Sequence, residues 1–192
     1  MDFHLTDLQM IVAAVVLIAI VAVVLAAYLQ RRKARTLALR DRFGSEYDRA
    51  VLKHGSAREA EAKLADRETR VETLKIRDLG ATERERFVSE WLTVQSRFVD
   101  HPKAAVNEAD DLVNALLEAR GYPKAAFEQR AADVSVNYPR VMDNYRLANA
   151  VAVRHGQVDA TTEELRNAMI QYRAIFDELV KPQTLTEHKS AA

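Results

Sequence analysis

A helical protein that binds a metal or moves protons needs histidines or carboxylates at i, i+3 or i, i+4, converging from neighbouring helices. The five histidines, His4, His54, His101, His155 and His188, stand instead near helix ends and tails, with no HExxH or ExxH spacing. They read as solvated or capping residues. Asp110 and Asp111 are adjacent, so on a helix they point about 100° apart and cannot face each other as an acid–base pair. The chain has no cysteine, which excludes disulfides, thiolate metal sites and thiol nucleophiles. It also has no GxxxxGK[ST] or GxGxxG phosphate loop and no GxSxG elbow, and its five glycines supply few amide cradles. No catalytic residue, metal or cofactor is expected, and the sequence does not reveal a biochemical activity.

One stretch still gathers reactive side chains. "ARGYPKAAFEQRAADVSVNYP", residues 119 to 139, brings Arg120, Tyr122, Glu128, Arg130 and Asp133 close together among two prolines and a glycine. This cluster is either a corner between helices, locked by an Arg130–Asp133 ion pair, or the lining of a small-ligand or catalytic pocket. The corner is the preferred reading, because each breaker sits where helix geometry wants it. Trp91, Tyr138, Tyr145 and Tyr172 pose a similar choice between a groove for a partner helix and ordinary core, and core is preferred.

These residues must be positioned by helices. The chain is 48% hydrophobic and 29% charged, with four prolines, and few β-branched residues lie outside its N-terminal stretch. That composition predicts an all-α protein with room for one domain plus an appendage. "MIVAAVVLIAIVAVVLAAYL", residues 10 to 29, contains no charge and no amide, and a helix of twenty residues spans roughly 30 Å of hydrocarbon. A single transmembrane helix is predicted there, after a short tail at 1–9. A cleaved signal peptide would want a basic leading segment, whereas the first nine residues carry Asp2 and Asp7 and no Lys or Arg.

A basic collar follows: Arg31, Arg32, Lys33, Arg35, Arg40 and Arg42 against Asp41 alone. The positive-inside rule places this side in the cytoplasm and the N-terminus outside, with the helix running on to about Arg42. The collar fits headgroup-level snorkelling, and six cations also suit anionic lipid headgroups.

Beyond the collar, helix signals define a charged helical hairpin at 43–75, a bundle-like domain of four to five helices at 82–180, and a flexible tail at 181–192. Ser56 with Glu59, Thr82 with Glu85 and Thr161 with Glu164 are expected capping boxes. Pro102 is expected to start a helix that Gly121 closes, Pro123 a short one, and Pro139 a further one closed by Gly156. Apolar stripes recur at helical spacing, as in Phe87, Trp91, Val94 and Phe98, and in Leu165, Met169, Tyr172, Phe176 and Leu179. In the hairpin, Ala57, Ala60, Leu64, Val71 and Leu74 form a narrower stripe that Arg67 interrupts. Residues 43–192 hold 22 Lys plus Arg against 25 Asp plus Glu, so the basic face that nucleic-acid binding requires is missing.

The segments "RFGSEYDRAV", "RVETLKIRDL", "ERERFVSEW", "VQSRFVDHPKAAVNEADDLV" and "RGYPKAAFEQRAADVSVNYP" resemble a family of uncharacterised bacterial single-pass membrane proteins, some labelled only hypothetical or secreted. The resemblance covers roughly 40 to 150 and carries no activity and no functional residue to this chain. It implies a repeatedly used module in a bacterial cytoplasmic membrane. The expectation is then a tethered, non-catalytic module that binds an unknown protein partner or itself. The alternatives are a ligand-binding or enzymatic domain with a pocket near 120–140, or a membrane-organising protein acting through its collar.

Overall fold

The computed structural model describes residues 3–155 and 160–182. All the regular elements among them are helical: α1 Phe3–Phe43, α2 Ser45–His54, α3 Ala57–Glu72, α4 Ala81–Arg97, α5 Pro102–Ala119, α6 Phe127–Val134, a 3-10 turn Pro139–Val141, α7 Met142–His155 and α8 Thr162–Val180. The expected closure at Gly156 and most of the expected tail lie outside the described residues. The chain divides into two compact units, residues 1–42 and 43–192.

In the first unit, α1 is continuous through both the apolar stretch and the collar. It is a helix long and apolar enough to cross a membrane, and none of its most apolar eighteen-residue window is buried.

The second unit is a helical bundle. Helix α8 is at its centre, packing most extensively on α7 and α5, while α4 lies against α5 and α2 against α3. The periodic stripes explain this directly. Ala105, Ala109, Leu112, Val113, Leu116 and Leu117 of α5 all point inward, as do Leu165, Met169, Tyr172, Phe176 and Leu179 of α8. Phe87, Trp91 and Val94 join the same core. Met142, fully buried at the start of α7, joins it too, although the sequence pattern did not single it out.

The helix ends follow local chemistry. The Thr161 hydroxyl accepts from the Glu164 amide while the Glu164 carboxylate accepts from the Thr161 amide, as expected of the capping box. Ser56 caps α3 by accepting from the Glu59 amide at 3.2 Å. Thr82 does not cap α4. That helix starts two residues earlier, at Ala81, with Gly80 as N-cap, and the Glu83 carboxylate reaches back to the Gly80 amide at 3.0 Å. Arg77 fixes this shifted start by forking onto both Glu83 oxygens at 2.8 and 2.6 Å.

Pro102 opens α5 as expected, but Pro123 opens nothing: residues 122–126 run without helix and α6 begins at Phe127. The reason is Tyr122, whose buried ring anchors the chain and whose hydroxyl accepts from Asn137 Nδ2 at 2.8 Å. Arg130 then holds the Ala125 carbonyl at 3.2 Å, ahead of the first turn. Gly121 makes the preceding reversal possible. Its φ is +95°, and a Cβ there would stand 2.3 Å from the Lys75 carbonyl oxygen, so only glycine lets the two backbones meet.

Candidate functional site

The five corner residues are not brought together as one cluster. Each is turned onto a different neighbour within the bundle. Arg120, just past α5, is fully buried. Its Nη1 donates to the Leu179 and Lys181 carbonyls at 2.6 and 3.1 Å, and its Nη2 meets Asp78 at 2.8 Å. The guanidinium therefore caps the C-terminal end of α8, where free carbonyls and the helix dipole both favour a cation. Its own carbonyl accepts from the Arg77 amide at 2.9 Å, which ties down the connector before α4.

Arg130 and Asp133 do not form the expected pair. Asp133, 1% exposed, accepts from Arg70 of α3 at 2.9 Å and from Gln129 at 2.8 Å. Arg130 points the other way and donates to the Tyr145 hydroxyl at 2.7 Å. Although i, i+3 neighbours share a helix face, the short α6 is wedged between other helices, and each side chain finds a partner on its own side. Glu128 is exposed and takes Arg146 at 3.1 Å.

From Arg130 a polar chain runs into the bundle. The Tyr145 hydroxyl donates to Asn114 Oδ1 at 3.3 Å, Asn114 Nδ2 to Asp110 at 3.1 Å, and the Tyr172 hydroxyl to the other Asp110 oxygen at 2.9 Å. Burial pushes the Tyr145 hydroxyl up to about 12, and burial with the Asp110 carboxylate pushes Tyr172 upward as well. Both phenols thus stay protonated donors at neutral pH. Asp110 is held by α5 and α8 rather than paired with Asp111, as the sequence required.

One charged centre escaped sequence reasoning. Glu46 of α2, 1% exposed, is gripped by three arginines. Arg146 of α7 donates through Nε at 2.8 Å and Nη2 at 3.2 Å, Arg49 lies at 3.3 Å, and Arg67 of α3 lies at 3.6 Å. Arg67 is the residue that interrupts the α3 stripe, and it does so because it faces this carboxylate. Burial works against the Arg67 charge and lowers its pKa. Arg49 also reaches Asp143 at 3.3 Å. Three acids, buried Glu46 and the more exposed Glu128 and Asp143, thereby meet three arginines, and the charges balance within the network.

The aromatic candidates are core. Trp91 stacks on Phe176 with ring centroids 4.7 Å apart, and Tyr138, Tyr145 and Tyr172 are buried. The described residues hold no group of three His, Asp or Glu side chains placed for a metal ion. A shallow groove of about 400 Å³ between α4 and α5 is lined by Glu90, Val94, Arg97, Glu108, Asp111 and Leu112, none of them from the 119–139 corner.

The collar differs from all of this. Arg31, Arg32, Lys33, Arg35, Arg40 and Arg42 are exposed along α1, and the Thr36 hydroxyl among them turns back onto the Arg32 carbonyl at 3.1 Å. The buried contacts brace helices, whereas the collar presents cations. No known family model, no curated protein and no solved structure matches the chain.

Proposed function

We propose that this chain is a membrane-anchored module whose helical unit works by binding, to a protein partner or to itself, and performs no catalysis. In this reading α1 crosses a bacterial cytoplasmic membrane with the N-terminus outside and residues 43–192 in the cytoplasm. The observation that carries it is the unburied apolar window of α1, followed directly by six cations. An apolar face of that length finds no cover in the protein, and lipid supplies it. The balanced arginine–carboxylate contacts at Glu46 and the buried fork of Arg120 support binding over chemistry, since their charges are spent on the fold. Tethering would raise the effective concentration of the unit at the membrane.

The test is in-cell cross-linking and pull-down of the full chain against a control of residues 1–42. A reproducible protein partner that requires residues 43–192 is the expected result. Recovery of nothing beyond the control, from folded protein in the membrane, would sink the binding reading. A second reading gains support from the exposure of Arg31, Arg32, Lys33 and Arg35, which suits anionic headgroups as a further partner. Neutralising these four with topology preserved should lower retention of anionic lipid; unchanged retention would count against it.

A further inference from the structure

We infer that α1 pairs in parallel with α1 of a second copy of this chain, along a heptad seam running from Gln9 to Leu37. This rests on the membrane-anchor reading, which points both copies the same way.

A left-handed pair of helices needs a seam whose residues alternate four and three apart. Inside the apolar span every register is apolar, so the span alone selects none. The collar selects one. Of the seven ways to lay a heptad seam along α1, six meet Arg31, Arg32, Lys33, Arg35 or Arg40 between residues 30 and 40, and one meets no cation. In that register Gln9, Val16, Val23, Gln30 and Leu37 recur every seven residues at one seam position, and Ala13, Ile20, Ala27 and Ala34 fill the other. The two glutamines that bracket the span fall three heptads apart, where each would face its own copy in a parallel pair and could exchange side-chain amide hydrogen bonds.

Two structural observations and one from the sequence favour a second copy as the occupant. Leu37 is 65% exposed in the middle of the collar, about 12 Å along the helix past Leu29 and so beyond the acyl chains that would cover the span. Lipid therefore does not account for it. Near the other end, the surface of α1 has a concavity lined by Gln9, Val12, Ala13 and Val16. Those residues are i, i+3, i+4 and i+7, the four that form the hole for an inserted side chain in helix pairing, and they lie on the same register. Finally, the flanking positions are compatible with self-pairing. In a parallel pair Lys33 would lie across from Ala38, and Ala26 across from Arg31, so no cation opposes a cation over the seam.

The absence of cysteine makes the test clean. Single cysteines are placed in the full chain on the seam (Val23→Cys, Gln30→Cys, Leu37→Cys) and off it (Leu25→Cys, Tyr28→Cys, Arg32→Cys). Membranes carrying each variant are oxidised with copper phenanthroline and run on non-reducing gels. Seam positions should give at least five-fold more disulfide-linked homodimer than the off-seam positions. Equal cross-linking everywhere, none anywhere, or adducts of another mass would overturn the pairing. Carbonate extraction of the same membranes separates the two claims. Protein that stays in the pellet without periodic cross-linking refutes the pair and leaves the anchor standing, whereas protein that washes off refutes both.

Discussion

Arg120 and Glu46 are both charged and both sealed inside the helical unit, yet they are satisfied in opposite ways. Arg120 spends its fork on two backbone carbonyls at the end of α8 and on Asp78. Glu46 depends on side chains alone, three arginines from α2, α3 and α7. Backbone oxygens cannot swing away, so Arg120 fixes a junction rigidly: the end of α5, the connector before α4 and the end of α8. Arginine side chains are long and must be ordered to reach a carboxylate, and Arg49 is half exposed, so the Glu46 centre is a looser brace between elements far apart in sequence. The rigid junction should tolerate substitution less.

Arg120→Ala is the strongest way to expose that difference. It leaves the Leu179 and Lys181 carbonyls without this donor, removes a guanidinium from Asp78 and opens a large hole. Loss of one partner from a buried ionic contact costs about 3–5 kcal/mol, and the upper half of that range is expected here. Trp91, the single tryptophan, is buried against Phe176 and reports unfolding by its fluorescence. Urea titration of the full chain in detergent should show the midpoint falling sharply. A change below about 1 kcal/mol would mean that water replaces the fork and that the junction is not rigid.

Glu46→Gln is the gentler counterpart. The amide keeps the shape and one acceptor but gives up the charge that holds three guanidiniums, and about 2 kcal/mol should be lost, in keeping with a hydrogen bond to a charged group. A double-mutant cycle with Arg146→Met sharpens the comparison. If the two-point contact between Arg146 and Glu46 is the main brace, the pair should couple by about 1 kcal/mol or more. Additive effects would assign the brace to Arg67 and Arg49 instead.

The two centres also differ in how far the sequence foretold them. The all-α fold was legible because stripes such as Leu165 to Leu179 repeat over four turns, and a long periodic signal outweighs local exceptions. Arg120 was legible as a member of the corner, since Gly121 and Pro123 mark it, but its contacts with Leu179 and Lys181 lie 59 and 61 residues away. Glu46 and Arg146 are 100 residues apart, and neither carries a local signature. The one visible hint was Arg67 interrupting an apolar stripe, because a charge on a buried face implies a buried counter-charge. The Arg130–Asp133 pair failed for the converse reason: sequence proximity suggested a contact that packing on both sides of α6 redirected. Pro123 failed because the burial of Tyr122 outweighed the preference of proline for a first helical turn.

The smallest effect comes from the surface contact that replaced the expected Thr82 cap. The Arg77 guanidinium, with help from the Gly80 amide, holds the Glu83 carboxyl down from the ordinary 4.5 to about 2. A carboxylate depressed in the folded state contributes stability that is complete above its unfolded pKa and is lost as pH falls through the folded value. The window for Glu83 therefore runs from about pH 4.5 down to about 2. Because this pair is solvent-exposed, screening by water and salt should make its share of stability small, in contrast to the two buried centres. A carboxyl-carbon NMR titration of Glu83 should find a midpoint near 2 that rises toward the ordinary value in Arg77→Met. The same variant should leave the urea midpoint at neutral pH almost unchanged. If Arg77→Met destabilised the chain as much as Glu46→Gln, burial would not be what separates strong ionic contacts from weak ones here, and the start of α4 would have to count as a third structural brace.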